Sequence, residues 1–544
     1  MFNYQNKKIL IVDDQKEFSV MLKAMISHQG AKSITFADSA DSAIDCAHRD
    51  FFDVYFIDYH LGAGRNGIQL LDYLRNSNLI LVSALCFIVT GNSNQDMVLS
   101  AIEKAPDDYL IKPFSPTQLL NRLTKATHKK DMLMGILNAI KDNNLTQAIL
   151  LCHEKIKSTS KYSTLCQNIL ADIYIKTEQY SDAEKILKKL VNKRAVIQTS
   201  IRLGKTYYLQ NKLNEAIAIL EDIILHHPLQ IKAYEWLARA YKKNNDHNRA
   251  LSTLTAAANM TNHSIERHQE VALLAKEMHE YKIMLNSYYA ILLLSRRSFY
   301  PDPCHLANYI HSIIDYARSK DELHHKKLIL KKARSTLYQS RFEEGKNKGF
   351  DFDQFDFLCQ AKIFFSLNKH LKAKRLILKT IHNCEKSVSD IDTTTLCESV
   401  LSLLDIGEFD DAAPYLKELN QRDIIDSTMQ ANLKEHTGNN LKVRINAFKT
   451  LNKEGINAFK KGDHSQALHC FHQALKREPL NSGSILNSIQ VYLKLLLSAE
   501  KLQRKQQLQA CQEKFNLLRH THLSHHHRQR YNDLQKEFNI EKVN

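Results

Sequence analysis

Five short runs of β-branched, aromatic and aliphatic residues punctuate the start of this chain: KKILIVDD (7–14), SITFA (33–37), VYFIDY (54–59), LCFIVTG (85–91) and DDYLIKP (107–113). Between them apolar residues recur at intervals of three and four, as in Phe18, Met21, Leu22 and Met25, the spacing of one helix face. A segment that alternates between strand and helix periods in this way is committed to a parallel sheet covered by helices on both sides. In such sheets function gathers in the loops beyond the carboxyl ends of the strands.

Those ends carry the uncommon side chains. Asp13 and Asp14 close the first run, Asp58 the third, Thr90 the fourth, and Lys112, before Pro113, the fifth. Three carboxylates on one sheet edge repel each other unless a cation neutralises them, and oxygen-only ligation suits a hard ion such as Mg²⁺. A hydroxyl and an ammonium beside them suit the oxygens of a phosphoryl group on Asp58, because phosphoryl transfer asks chiefly for positioning and charge neutralisation. Asp58 is then the nucleophile. An acidic pair after a strand also serves as a helix N-cap; the order of residues over five strand ends, rather than any one of them, carries the reading.

From the VDD pair through FIDYHLG and IVTG to YLIKPF, residues 5–128 resemble the receiver domain of bacterial two-component response regulators. The resemblance implies a flavodoxin-like, doubly wound domain with a five-stranded parallel sheet, which accepts a phosphoryl group from a histidine kinase or phosphotransfer protein onto Asp58. It implies Mg²⁺ held by Asp13, Asp14, Asp58 and the backbone carbonyl of His60. In the family pattern Lys112 pairs with the phosphoryl group, Thr90 moves toward it, and Tyr109 rotates with the change. Two departures bear on the lifetime of the phosphoaspartate. The loop YHLGAGRNG lacks the Met-Pro of many receivers, although Leu61 and Gly67 keep an apolar anchor and a turn, and Asn92 rather than an acid faces the site after Thr90.

The remainder reads as helix. Only 14 glycines and 8 prolines occur in 544 residues, well below the usual ~7% and ~5%, which leaves little punctuation for strands and tight turns. Three segments align at 33–34 residues through a small residue, an aromatic and an alanine: Ala171, Tyr174, Ala183; Gly204, Tyr207, Ala216; Ala238, Tyr241, Ala250. Gly455, Ala467, Phe471, Ala474 and Pro479 repeat the scheme, Ala361, Phe364 and Ala373 copy it in part, and Ala272 with Met284 and Val400 with Ala412 are degenerate copies. Small residues let paired helices approach and the aromatic fills the gap between them. These segments resemble tetratricopeptide repeats, which implies an all-α solenoid that binds other proteins.

The expected organisation is a receiver at 1–130, a helical region with repeats at 131–340 (clearest at 160–260), a second at 341–510 (clearest at 451–500), and a basic, histidine-rich helical tail at 511–544. A polar connector is expected around 333–353, where the period is lost. His520, His522, His525, His526 and His527 lack a partner at an established metal spacing and read as a solvated or partly helical tail.

No run is long and apolar enough to span a bilayer and the amino terminus lacks a signal-peptide pattern, so a cytoplasmic protein without a membrane partner is expected. Ten scattered cysteines read as reduced, buried thiols. Residues 1–130 carry 14 basic and 14 acidic side chains, so the net charge of +16 lies wholly in the rest, 61 against 45. Patches such as Lys188, Lys189, Lys193 and Arg194 read as solvated helix faces. The leading function is a response regulator whose phosphorylation alters protein binding by the repeats, with no output enzyme and with a homodimer through the receiver left open. The alternative is a basic, nucleic-acid-binding regulator, although no helix-turn-helix pattern accompanies the charge.

Overall fold

Five strands, β1 (Lys8–Val12), β2 (Ser33–Ala37), β3 (Val54–Asp58), β4 (Leu85–Thr90) and β5 (Asp108–Ile111), form a parallel sheet in the order β2-β1-β3-β4-β5. The computed structural model describes residues 4–62, 64–91, 99, 103, 106–158, 161–193, 196–261, 264–299, 301–344, 349–424, 426–497 and 501–543. β3 and β4 are buried at every residue, which is why their sequences are apolar without alternation. Helices α1 (Lys16–Ser27), α2 (Ala40–Arg49), α3 (Gly67–Asn76) and α4 (Pro116–Lys141) cover the sheet. Leu70, Leu71 and Leu74 of α3 join Ala43 of α2 against Tyr55, Ile57 and Ile88 on one face. Leu22 and Ile26 of α1 join Leu119 and Leu123 of α4 against Ile11, Phe56 and Phe87 on the other. The expected α/β receiver architecture is present.

α4 runs for 26 residues, opened by a Ser115–Gln118 capping box with Pro116 in its first turn. Its first half belongs to the sheet core through Leu119, Leu123 and Ala126. Its second half buries Leu133, Ile136 and Ala139 with Ala148, Cys152, Cys166 and Leu170 of the next two helices, Leu145–Ser158 and Ser163–Lys176. The limit placed near residue 130 therefore falls inside one continuous helix.

Everything described beyond α4 is helical, apart from turns and short connections. Ala171, Ala183, Ala216, Ala238 and Ala250 are fully buried. A Cβ on Gly204 would lie 2.8 Å from Leu220, and one on Gly455 2.7 Å from Phe471, so the small residues admit the partner helix as the spacing implies. Left-handed turn residues add a second signature. Asn143, Glu178, Asn211, Asn245 and His279 all have φ between 55° and 64° and recur every 33–35 positions. A residue in that conformation ends a helix and reverses the chain, and asparagine tolerates it better than most. The helix-pair series therefore extends beyond 160–260 in both directions. Asn368, Gly407 and Gly462 hold the same place between later helix pairs.

The chain divides into two compact units, residues 1–283 with 290–301, and residues 284–289 with 302–544. In the second, Leu358, Ala361, Ala373, Ile377, Val400, Leu404 and Ala412 share one core. The connector expected at 333–353 is instead helix as far as Glu344, within Leu323–Glu344. Leu330, Ala333, Leu337, Ser340 and Glu344 are its buried positions; the three-four spacing continues, but through a serine and a glutamate that a purely apolar reading passes over. The carboxyl-terminal segment is not solvated throughout either. Cys511, Phe515, Leu523, Leu534 and Phe538 pack on Leu486 and Ile489. All ten cysteines are free and eight are buried. Among the described residues no helix is long and apolar enough to cross a membrane.

Candidate functional site

The strand order reverses between β1 and β3, and in such sheets the crevice beyond the carboxyl ends at that point is the binding position. Val12 pairs with Ile57, so the next residues, Asp13 and Asp58, come side by side at this crevice. Both are 4% exposed. Asp14 is exposed, yet the carboxylate oxygens of Asp13, Asp14 and Asp58 lie within 4.8 Å of one another. Lys112, just past β5, donates to Asp13 Oδ2 at 2.7 Å and to Asp58 Oδ2 at 2.9 Å.

Burial pushes the Asp58 carboxyl above the usual carboxylate range while Lys112 works against it. Its Oδ1 is buried without a hydrogen-bond partner. A buried carboxylate oxygen in that state is the exception in folded proteins and suits a site that takes up a ligand. Hard, oxygen-only donors around such an atom fit a divalent cation of the Mg²⁺ class.

Local structure fixes the loop after Asp58. The Gly67 N–H donates to Tyr59 O at 2.9 Å, and Asn66 caps α3 in a reciprocal box with Gln69. A Cβ on Gly67 would stand 2.0 Å from the Asp58 carbonyl oxygen, so only glycine lets α3 begin against the Asp58 peptide. Thr90 is buried at the end of β4, and its carbonyl accepts the Lys112 N–H at 2.8 Å. Tyr109 is half-buried on β5 against the α2–α3 side of the core, with the Arg122 guanidinium 5.8 Å from its ring centroid. His60 follows in the loop with its side chain exposed. Asn92 lies outside the described residues.

Two neighbours escaped the sequence reading. The Phe18 ring lies 3.9 Å from Lys112 Nζ, in cation–π range; its helical spacing marked it only as a packing residue. Arg65, seven residues after Asp58, donates to Asp41 at 2.6 Å and to Ser298 O at 3.3 Å, and stacks 4.2 Å from the Phe299 centroid. Phe299 also meets Tyr73 of α3 at 4.5 Å. The loop after Asp58 thus touches the helical region directly, and nothing in the local sequence announces so distant a partner.

Residues 9–124 match the response regulator receiver domain family and residues 200–229 the tetratricopeptide repeat. The chain is 32% identical over 119 residues to the transcriptional regulatory protein YvrH of Bacillus subtilis, covering 22% of this chain and 48% of that protein. It is 26% identical over 140 residues to the phosphate regulon transcriptional regulatory protein PhoB of Escherichia coli, covering 26% and 59%. The chain therefore spans about half the length of these curated relatives. A receiver domain from Methanospirillum hungatei is similar at 22% identity over 23% of this chain and 96% of that one, with a TM-score of 0.21. The chain thus carries a receiver domain similar to those of response regulators, followed by a long helical region with a match to the tetratricopeptide repeat.

Proposed function

We propose that Asp58 accepts a phosphoryl group from a histidine kinase or phosphotransfer protein, and that this modification changes protein binding by the helical repeats. The observation that carries the reading is the pairing of Asp58 with Lys112 at 2.9 Å beside a second buried carboxylate, Asp13, with Asp58 Oδ1 left unpartnered. In the transfer, an Asp58 carboxylate oxygen forms the new bond to phosphorus as the bond to the donor's imidazole nitrogen breaks, and that nitrogen keeps the electron pair of the broken bond and takes up a proton from solvent. Asp13, Asp14, Asp58 and the His60 carbonyl are the proposed ligands of Mg²⁺, which supplies charge neutralisation for the phosphoryl oxygens when bound. Lys112 holds one phosphoryl oxygen, and Thr90 supplies a hydroxyl to another.

Modification adds about −1.5 to −2 of charge beside the loop that carries Arg65. Withdrawal of Thr90, Tyr109 and that loop toward the new group weakens the hold of Arg65 on Phe299, which couples the site to the repeats. The receiver, residues 1–130, acts as the input unit, and the repeats engage an unidentified protein in the cytoplasm. Treating the full chain with a small phosphodonor and Mg²⁺ is expected to add one acid-stable, base-labile phosphate that disappears in Asp58→Asn. Label persisting in that variant overturns the assignment. Affinity capture with and without phosphodonor tests the output, since an unchanged catch removes phosphorylation-controlled binding.

The names of the two relatives favour a second reading, a nucleic-acid-binding regulator, and the +16 charge agrees with it. The match reaches only about half of each relative, so their output regions lend it little. Specific gel-shift binding at physiological salt would promote it over protein binding.

A further inference from the structure

The second unit contains a buried cluster of three unlike ligating side chains. Asp302 caps helix Pro303–Arg318, whose first turn presents Cys304 and His305. Asp426 caps helix Ser427–Thr437. Cys304, His305 and Asp426 are 2%, 9% and 8% exposed, and one ligating atom from each lies within 4.8 Å of both others.

The distances separate two accounts of this cluster. Cys304 Sγ stands 3.6 Å from His305 Nδ1, and that nitrogen stands 4.0 Å from Asp426 Oδ2. A 4.0 Å separation is too long for a hydrogen bond, so a thiol–imidazole–carboxylate chain does not explain it. Both neighbours also face the same ring nitrogen, whereas a nucleophile and an orienting carboxylate need opposite ones. Ligands about 2.0–2.3 Å from a tetrahedral zinc ion stand roughly 3.3–3.6 Å apart. The Cys304–His305 separation already matches that spacing and the His305–Asp426 separation is slightly longer.

The surroundings are those of a held ligand set. Asp426 Oδ1 accepts from the Met429 N–H at 2.7 Å and from Asn308 Nδ2 at 3.0 Å, which orients Oδ2 toward His305. Metal-binding carboxylates are commonly fixed in this way. Charge supports the same conclusion. With one divalent ion bound, a thiolate and a carboxylate make a neutral site, which a buried position tolerates. Asp302, which accepts the Cys304 N–H at 2.9 Å, is a further oxygen donor in the same turn.

We propose that Cys304, His305 and Asp426 form a binding site for zinc or a similar borderline-soft divalent ion. It staples two helix starts whose members Asn308 and Asp426 are 118 residues apart. The site is separate from the oxygen-only cluster of Asp13, Asp14 and Asp58 and prefers a different class of metal.

Cobalt reports on it optically. The full chain is titrated with Co²⁺ in excess Mg²⁺, which competes for the oxygen-only carboxylates. A sulfur-to-cobalt charge-transfer band is expected, saturating at one cobalt per chain and bleached by Zn²⁺. Cys304→Ser is expected to lose the band, and Asn308→Ala to weaken binding by about 10–100-fold. Asp426→Asn keeps a good N-cap, so it serves as a second variant of preserved fold and is expected to weaken binding at least as much. Cobalt held by the terminal histidines gives no sulfur band. Wild-type protein without the band, or a band undiminished in both Cys304→Ser and Asp426→Asn, overturns the proposal.

Discussion

Arg267 and Glu103 form a charge-assisted hydrogen bond across 164 residues of sequence, joining the segment between β4 and β5 to helix Ile265–Glu277 of the repeats. The Arg267 side chain is 2% exposed, and it also holds Glu235 at 3.0 Å and Thr261 Oγ1 at 2.7 Å. Removing one partner of a buried charge cluster strands the others, at about 3–5 kcal/mol. Arg267→Ala is therefore expected to lower stability by that order in urea denaturation. It should also open residues around Thr261 to hydrogen exchange. Glu103→Gln, which leaves Arg267 paired with Glu235, should cost less than half as much. Equal losses would mean that the link to the receiver, rather than the cluster within the repeats, dominates.

Lys112 is the cation that bridges Asp13 and Asp58. Lys112→Met leaves two buried carboxylates side by side and is expected to destabilise the receiver by about 3–5 kcal/mol in chelator. Mg²⁺ replaces the missing positive charge, so its addition should raise the melting temperature of the variant more than that of the parent protein. Equal shifts in differential scanning fluorimetry would separate the cation's position from these carboxylates.

Gly67→Ala places a methyl group where the Asp58 carbonyl oxygen already stands. Both partners of the clash are backbone or bound to it, so relief requires moving α3 or the end of β3. The expected cost is about 1–3 kcal/mol or more, together with a large fall in the phosphodonor labelling rate. Normal labelling with lowered stability would show that the displacement spares the Asp58 carboxylate.

Glu398 is 1% exposed, with Lys362 Nζ at 2.6 Å and His311 Nε2 at 3.0 Å. Burial alone would raise its carboxyl, but His311 and Lys362 outweigh burial and hold it at about 2. Because the folded value lies below the unfolded one, about 4.3, the stabilisation is complete above that pH and fades as pH falls toward 2. Glu398→Gln should cost about 3–5 kcal/mol at neutral pH. Its deficit against the parent protein in urea melts should shrink between about pH 4.3 and pH 2. A deficit independent of pH across that interval would locate the stabilisation in packing rather than charge.

The receiver was legible because its chemistry sits at strand ends, where a local period change and one uncommon residue mark each position. Lys112 meets Asp13 and Asp58 at those strand ends. The repeats were legible through small residues such as Gly204, whose missing side chain is explained by one neighbour, Leu220. Turn residues carry a further signal, since Asn143, Asn211 and Asn245 mark helix ends by their backbone conformation rather than by hydropathy. Pairings such as Arg65 with Phe299, or Cys304 with Asp426, depend on tertiary closure between distant segments, and no local pattern encodes them. The helix over 323–344 was hidden for a related reason: Ser340 and Glu344 occupy core positions with polar side chains.

The shared helix Pro116–Lys141 has a consequence for how such a chain can be rebuilt. Receiver and repeats are not beads on a string, because a rigid rod sets their phase. Deleting one residue near its middle would turn whatever follows by about 100°, and removing a full turn would instead slide it by about 5.4 Å. An exchange of the input module must therefore keep this helix in register if the contacts of Arg65 with Phe299 and of Arg267 with Glu103 are to survive.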